Sequence, residues 1–498
     1  MLAVAVLLWW QLYGRGFAGL ADNGDWPRLM RQVGLAFSPD DRLTYGERLV
    51  RFLPHSDAGL DWQSYPTSAG SLVRLVVAAD RAVQGRAPFD IGVLGFAYAV
   101  SFLACLYGLL RSTRRLRPVP RVVAVAFGGL LVTDFAFTAY FHSLYSEPVA
   151  IIAVLAAVAA GLRWSTQLGS IRWAAMTCLA LLTALTAKAQ YAPTGLLIAL
   201  ALAVVAVRAL SRRVWQRGIV TAMVAVLLLG AAAADTTLQP SRLVRYNTWD
   251  ATYVEILPHT GDPSSALREL GLDTRLAAFS GRNAYQSGTP LHDARLSRQF
   301  PMPVPSRERL LVYWTRHPGQ LVSLLWRGHS GLREWRPQYL ANTTTAPHYP
   351  RRTLLSGGTF WSGTVRALGP VATPVVLVVL LTGLVAPLAS RRRRALAPDT
   401  RGPLSVLSLI SLAASSQYAA VLLGDGRYEL VKHLLLFDLL WGATAVGLLV
   451  WAATSLPDGI GQAASAPRGE LAGGRGQASP DGERRSAALL PAVRSRRQ

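Results

Sequence analysis

The chain has 498 residues, 51% of them hydrophobic and only 16% charged, with a mean hydropathy of +0.28. Soluble proteins carry closer to a quarter charged residues, so this composition describes a membrane protein and excludes an ordinary soluble domain. The formal net charge of +23 comes from arginines in short tracts between apolar runs, the pattern of cytoplasmic loops, and nothing interleaves aromatic with basic residues as nucleic-acid binding requires.

Apolar segments able to cross a bilayer lie near 2–20, 91–110, 121–139, 148–162, 173–187, 193–207, 218–236, 369–389, 403–423 and 431–453. A span needs about 20 apolar residues, so the shorter runs qualify only with their polar ends, giving about ten helices. The first run, MLAVAVLLWW, has no small-residue cleavage site after it and reads as a retained helix whose Arg15 must snorkel. Cys105 and Cys178 fall inside predicted helices, against a disulfide framework or a cysteine-ligated metal.

The basic tracts at 111–121, 163–173, 208–217 and 390–401 separate alternate helices, so one assignment puts all four on the cytoplasmic side. Both termini are then cytoplasmic in a multi-pass protein of the cell membrane, and two long segments, 21–90 and 238–368, face outward. The expected organisation is an N-terminal membrane module over 1–237, an extracytoplasmic region over 238–368, a C-terminal membrane module over 369–454 and a disordered cytoplasmic tail over 455–498. The outer loops, with amphipathic stretches such as RERLLVYWTRHPGQLVSLLWRG, are expected to form a mixed, helix-rich cap.

This topology sorts the unusual polar residues onto one face. ADNGDWPR follows the first helix, YFHSLYSEP precedes the fourth, AKAQY the sixth and GDGRYELVKHLLLFD the tenth. The chain's only two lysines, Lys188 and Lys432, are among them. Each group has a structural reading when taken singly: Lys188 can snorkel, His142 can be a hydrogen-bonded packing residue, Asp425 can serve its own GDG turn, and Asp134 and Glu429 read as structural acids. Four such clusters on one face of a membrane instead favour a binding site, because ionisable groups there are costly unless they pair or line a cavity.

Transfer of a sugar from a lipid phosphate needs a carboxylate to take the acceptor's proton and cations to hold the departing phosphate. Asp22 or Asp25 can supply the first; Arg28, Lys188, Arg427, Lys432 and His433 can supply the second. His142, Tyr145, Glu147, Gln190, Tyr191 and Asp425 are assigned to substrate binding, and Trp26 or Tyr191 could stack on a sugar face. Membrane lipid is the expected surrounding partner.

These stretches, with ILPHTGDPSSALRELGLD at 256–273, resemble the polytopic glycosyltransferases of the GT-C superfamily, and within it the bacterial hexosyltransferases of surface-glycan assembly. The resemblance implies an all-α polytopic fold and inverting transfer of a hexose from a polyprenyl-phosphate donor to a glycan or lipid-linked acceptor on the extracytoplasmic face. It places the family's acid of the first outer loop on Asp22 or Asp25. Asp25 is favoured because Arg28 could orient it across one helical turn. No cofactor or metal is implied, although two close acids leave room for a divalent cation. His142 stands where related sequences would have Asn. The competing classes are a transporter or flippase for envelope glycan precursors, for which a central charged pathway is expected, and a non-catalytic envelope assembly protein.

Overall fold

The computed structural model describes residues 1–14, 18–37, 51–55, 65–85, 87–167, 170–211, 214–337, 357–392 and 398–454. These belong to one compact unit, Met1–Thr454. Arg15 and the expected tail from 455 lie outside the described residues.

Among the described residues, seven helices are long and apolar enough to cross a membrane: Ile91–Ser112, Glu147–Thr166, Ala189–Ser211, Trp215–Leu238, Trp361–Leu388, Gly402–Asp425 and Leu435–Thr454. Three shorter apolar helices, Leu2–Gly14, Pro118–Val132 and Ile171–Leu185, fall where the remaining predicted segments lie. Long Ala, Leu and Val runs take this form because a helix satisfies every backbone amide internally where no water can. Their outward faces stay apolar, as at Val226, Val378 and Leu381, while Phe102, Leu131 and Leu439 pack between helices.

Polar residues set the helix ends. Asp90 Oδ1 accepts from Gly92 N (2.7 Å) at the start of Ile91–Ser112, and Thr67 Oγ1 accepts from Gly70 N (2.9 Å) at the start of Ser68–Gln84. The segment expected as one helix over 121–139 is broken. Pro118–Val132 ends early and a short helix, Phe135–Thr138, follows. Asp134 causes the break: it accepts from Ala136 N and, at 2.8 Å, from the backbone N and hydroxyl of Ser362. One wholly buried carboxylate thus caps a local turn and ties it to the helix Trp361–Leu368, the structural part expected of it.

Downstream of the first apolar helix, Trp26–Val33 forms a two-turn helix with Pro27 in its first turn, closed by Gly34 at φ 68°. The chain then enters a small antiparallel sheet of β1 (Leu35–Ala36), β2 (Arg51–Pro54) and β3 (Phe89–Asp90), in that order, with Phe52 opposite Phe89. This sheet is a minor departure from the all-α expectation. It packs Phe52 beneath Trp26 and so holds the helix that carries Asp25 and Arg28.

Residues 238–337 are helix-rich, with Ser241–Trp249 running into a π-helix, Asp250–Ile256, and later the pair Arg307–Arg316 and Pro318–Arg327. π-helical turns are uncommon and concentrate near functional sites.

Candidate functional site

The helix Trp26–Val33 presents Asp25 and Arg28 on one face, where Arg28 Nη2 lies 3.2 Å from Asp25 Oδ1. The other carboxylate oxygen accepts from Lys432 Nζ at 2.6 Å, and the same ammonium reaches Glu429 Oε2 at 2.6 Å. Asn23 Nδ2 donates to both Glu429 oxygens at 2.8 Å. The Lys432 side chain is 1% exposed, so it holds its charge only through these two carboxylates. Its ammonium also lies 5.8 Å from the centre of the Tyr145 ring.

A second chain of groups adjoins the first. Lys188 Nζ donates to Glu147 Oε1 (2.8 Å) and lies 3.5 Å from His433 Nδ1. Gln190 Nε2 donates to the His433 carbonyl (3.2 Å), which turns its Oε1 onto His433 Nδ1 (2.8 Å). His433 Nε2 faces Asp425 Oδ2 at 2.9 Å. His433 thus bridges Gln190 and Asp425 beside Lys188. Tyr65 Oη accepts from Ala189 N (2.9 Å), fixing the backbone that presents Lys188.

Asp25, Arg28, Tyr65, Tyr145, Glu147 and Lys188 line one small cleft. Burial alone would raise the Asp25 carboxyl, but Arg28, then Lys432 and Lys188, hold it well below the usual carboxylate range. Asp22 differs: burial pushes its carboxyl up, against hydrogen bonds to one oxygen from Trp26 N (3.0 Å) and Gly24 N (2.8 Å). Those bonds make Asp22 the clasp of the turn that leads into the helix.

Not every expected residue joins the cleft. His142 is wholly buried, its Nδ1 2.8 Å from the Ala18 carbonyl and its ring edge-on to Tyr13; it packs so closely on Gly95 that a Cβ there would collide with it. That is the packing reading, and the substrate-binding assignment is corrected accordingly. Trp26 and Tyr191 are also buried, so neither offers a face to a sugar. Arg427 turns aside to Glu255, donating from its backbone N (3.0 Å) and Nε (3.1 Å).

Four residues in and around the site lie outside the assignment made from the sequence. Glu429 sits one helical turn before Lys432, a spacing that signals an ion pair, and its φ of 49° is the only non-glycine value of that kind among the described residues. Asn23 lies between the two aspartates. Nothing in their own neighbourhoods signals Tyr65 or Glu255. Among the described residues, no three His, Cys, Asp or Glu side chains are grouped to hold a metal ion.

The chain is thus a membrane protein in which distant polar segments meet in one cleft beside the ends of apolar helices. No curated protein matched it. A family does: residues 1–460 match the YfdI N-terminal transmembrane domain, and the chain belongs to that family.

Proposed function

We propose that the chain is an inverting membrane glycosyltransferase of the GT-C type, moving a hexose from a polyprenyl-phosphate donor to a cell-surface glycan or glycolipid acceptor. The observation that carries this reading is the Asp25 carboxylate gripped on its two oxygens by Arg28 and Lys432, in a cleft that Lys188 also lines. About ten helices cross the membrane in this reading, both termini are cytoplasmic and the cleft opens to the extracytoplasmic side. A lipid-borne donor keeps its phosphate at headgroup level, which suits a cleft beside helix ends.

The phosphate of the donor draws Arg28, Lys432 and Lys188 away from their carboxylate partners. Asp25, released from two cations, regains the basicity that they suppress in the empty protein. It takes the proton of the acceptor hydroxyl while that oxygen bonds to the anomeric carbon. The bond from this carbon to the phosphate oxygen breaks, and its electron pair stays on the polyprenyl phosphate, held by the three cations. His433, tied to Asp425 and Gln190, packs beside Lys188. No cofactor enters the scheme.

The test is direct. The full chain in liposomes, given a polyprenyl-phosphate hexose labelled in the sugar and a membrane fraction as acceptor, should move label from donor to glycan. A chain that carries intact donor across the bilayer without cleaving it would be a flippase instead.

A further inference from the structure

The helix Pro318–Arg327 buries Leu324 and packs Leu321 and Leu325 on the core, yet leaves two large apolar side chains outward and turns its arginine inward. Val322 is 64% exposed and Trp326 60% exposed, while Arg327 folds inward to within 3.6 Å of Glu255 and Leu324 is buried. A helix in an aqueous region puts charge outward and apolar groups inward.

Its depth explains the exposed apolar pair. Tyr418 Oη donates to the Leu325 carbonyl at 2.6 Å, and a Cβ on Gly328 would collide with Leu422 and the Tyr418 hydroxyl. Tyr418 lies about two turns, or about 10 Å, before the end of the candidate span Gly402–Asp425. The C-terminal end of Pro318–Arg327 is therefore sunk beside the last turns of a membrane helix. The following turn, Gly328–Arg333, packs on Leu430 and Leu434, which flank Lys432 and His433.

We infer that the helix Pro318–Arg327 is set into the headgroup edge of the bilayer, with Val322 and Trp326 in contact with lipid. Trp is well suited to that level, where its ring meets acyl chains and its N–H meets polar groups. Lipid contact then buttresses the segment that carries Lys432, independently of the chemistry done there.

The full chain with Cys105→Ala and Cys178→Ala, carrying Val322→Cys labelled with bimane, is placed in phosphatidylcholine nanodiscs. Its fluorescence is challenged with lipid bearing a nitroxide near the headgroup, and separately with aqueous iodide. The lipid nitroxide should quench it several-fold more than iodide does, and Arg275→Cys, at a solvent-exposed site, should show the reverse. Trp326→Cys serves as a second probe of the same face and should behave like Val322→Cys. Stronger quenching by iodide at position 322 or 326 would overturn the inference, and so would quenching by neither agent, which would mean that protein covers the face.

Discussion

Lys432 Nζ meets Asp25 Oδ2 at 2.6 Å, joining residues 407 positions apart in the chain. An ammonium with 1% of its side chain exposed has no water to fall back on. Its partners therefore hold the first polar segment against the last apolar helix as well as defining the cleft.

Lys432→Met should leave Asp25 and Glu429 as neighbouring carboxylates without the ammonium they share, with Arg28 and the more distant Lys188 to offset Asp25 and Asn23 to hold Glu429. Breaking a buried pair by removing one partner costs about 3–5 kcal/mol. Asp25→Asn should cost less, because Glu429 still holds the lysine. Denaturant unfolding in detergent measures both, and equal losses would show that Glu429 does not share the charge.

Asp250 gives a pH signature. Burial first, then the nearby Asp425 and Glu255 charges, raise its carboxyl from 3.8 to about 8, against one hydrogen bond from Ala284 N. Below pH 3.8 the group is protonated folded and unfolded alike. Between 3.8 and about 8 the unfolded chain has lost the proton that the folded chain keeps, so this group's contribution to stability falls as pH rises through that window and levels off above it. Asp250→Asn should flatten the melting temperature between pH 6 and 8 relative to the unsubstituted protein; an unchanged slope would place the titration elsewhere.

Gly426→Ala should be poorly tolerated. The residue has φ 68°, and an added Cβ would come within 2.6 Å of the Glu255 side chain that orders the turn. Strain of this kind costs more than about 1 kcal/mol. Because the turn sits between Asp425 and Lys432, activity should fall together with stability; a variant as stable as the parent would mean that the turn relaxes freely.

The orientation of the chain can be read at Arg275, whose side chain is 64% exposed in the segment expected to face outward. With both native cysteines replaced, Arg275→Cys in whole cells should react with an impermeant maleimide. Labelling only after the membrane is broken would reverse the assignment of faces.

The apolar helices are legible in the sequence because runs of about 20 apolar residues have few other uses. The break at Asp134 is not, since it depends on Ser362, far along the chain. In the cleft, Asp25, Arg28, Tyr145, Glu147, Lys188 and Lys432 stand out because charge beside a membrane helix is expensive and needs a reason. His142, Trp26 and Tyr191 lie in the same polar segments but point into packing, which residue type alone does not reveal. Tyr65 and Glu255 act through contacts with distant segments, Ala189 and Arg427, and only the fold brings these together.

The central claim is that Asp25 takes the proton of the acceptor during sugar transfer, and turnover of Asp25→Asn in proteoliposomes supplied with labelled polyprenyl-phosphate hexose tests it most directly. The account predicts a fall of about 100- to 10,000-fold, the usual worth of a positioned general base, with donor binding retained, and a smaller fall for Asp22→Asn. Turnover of Asp25→Asn equal to that of the parent chain would contradict it.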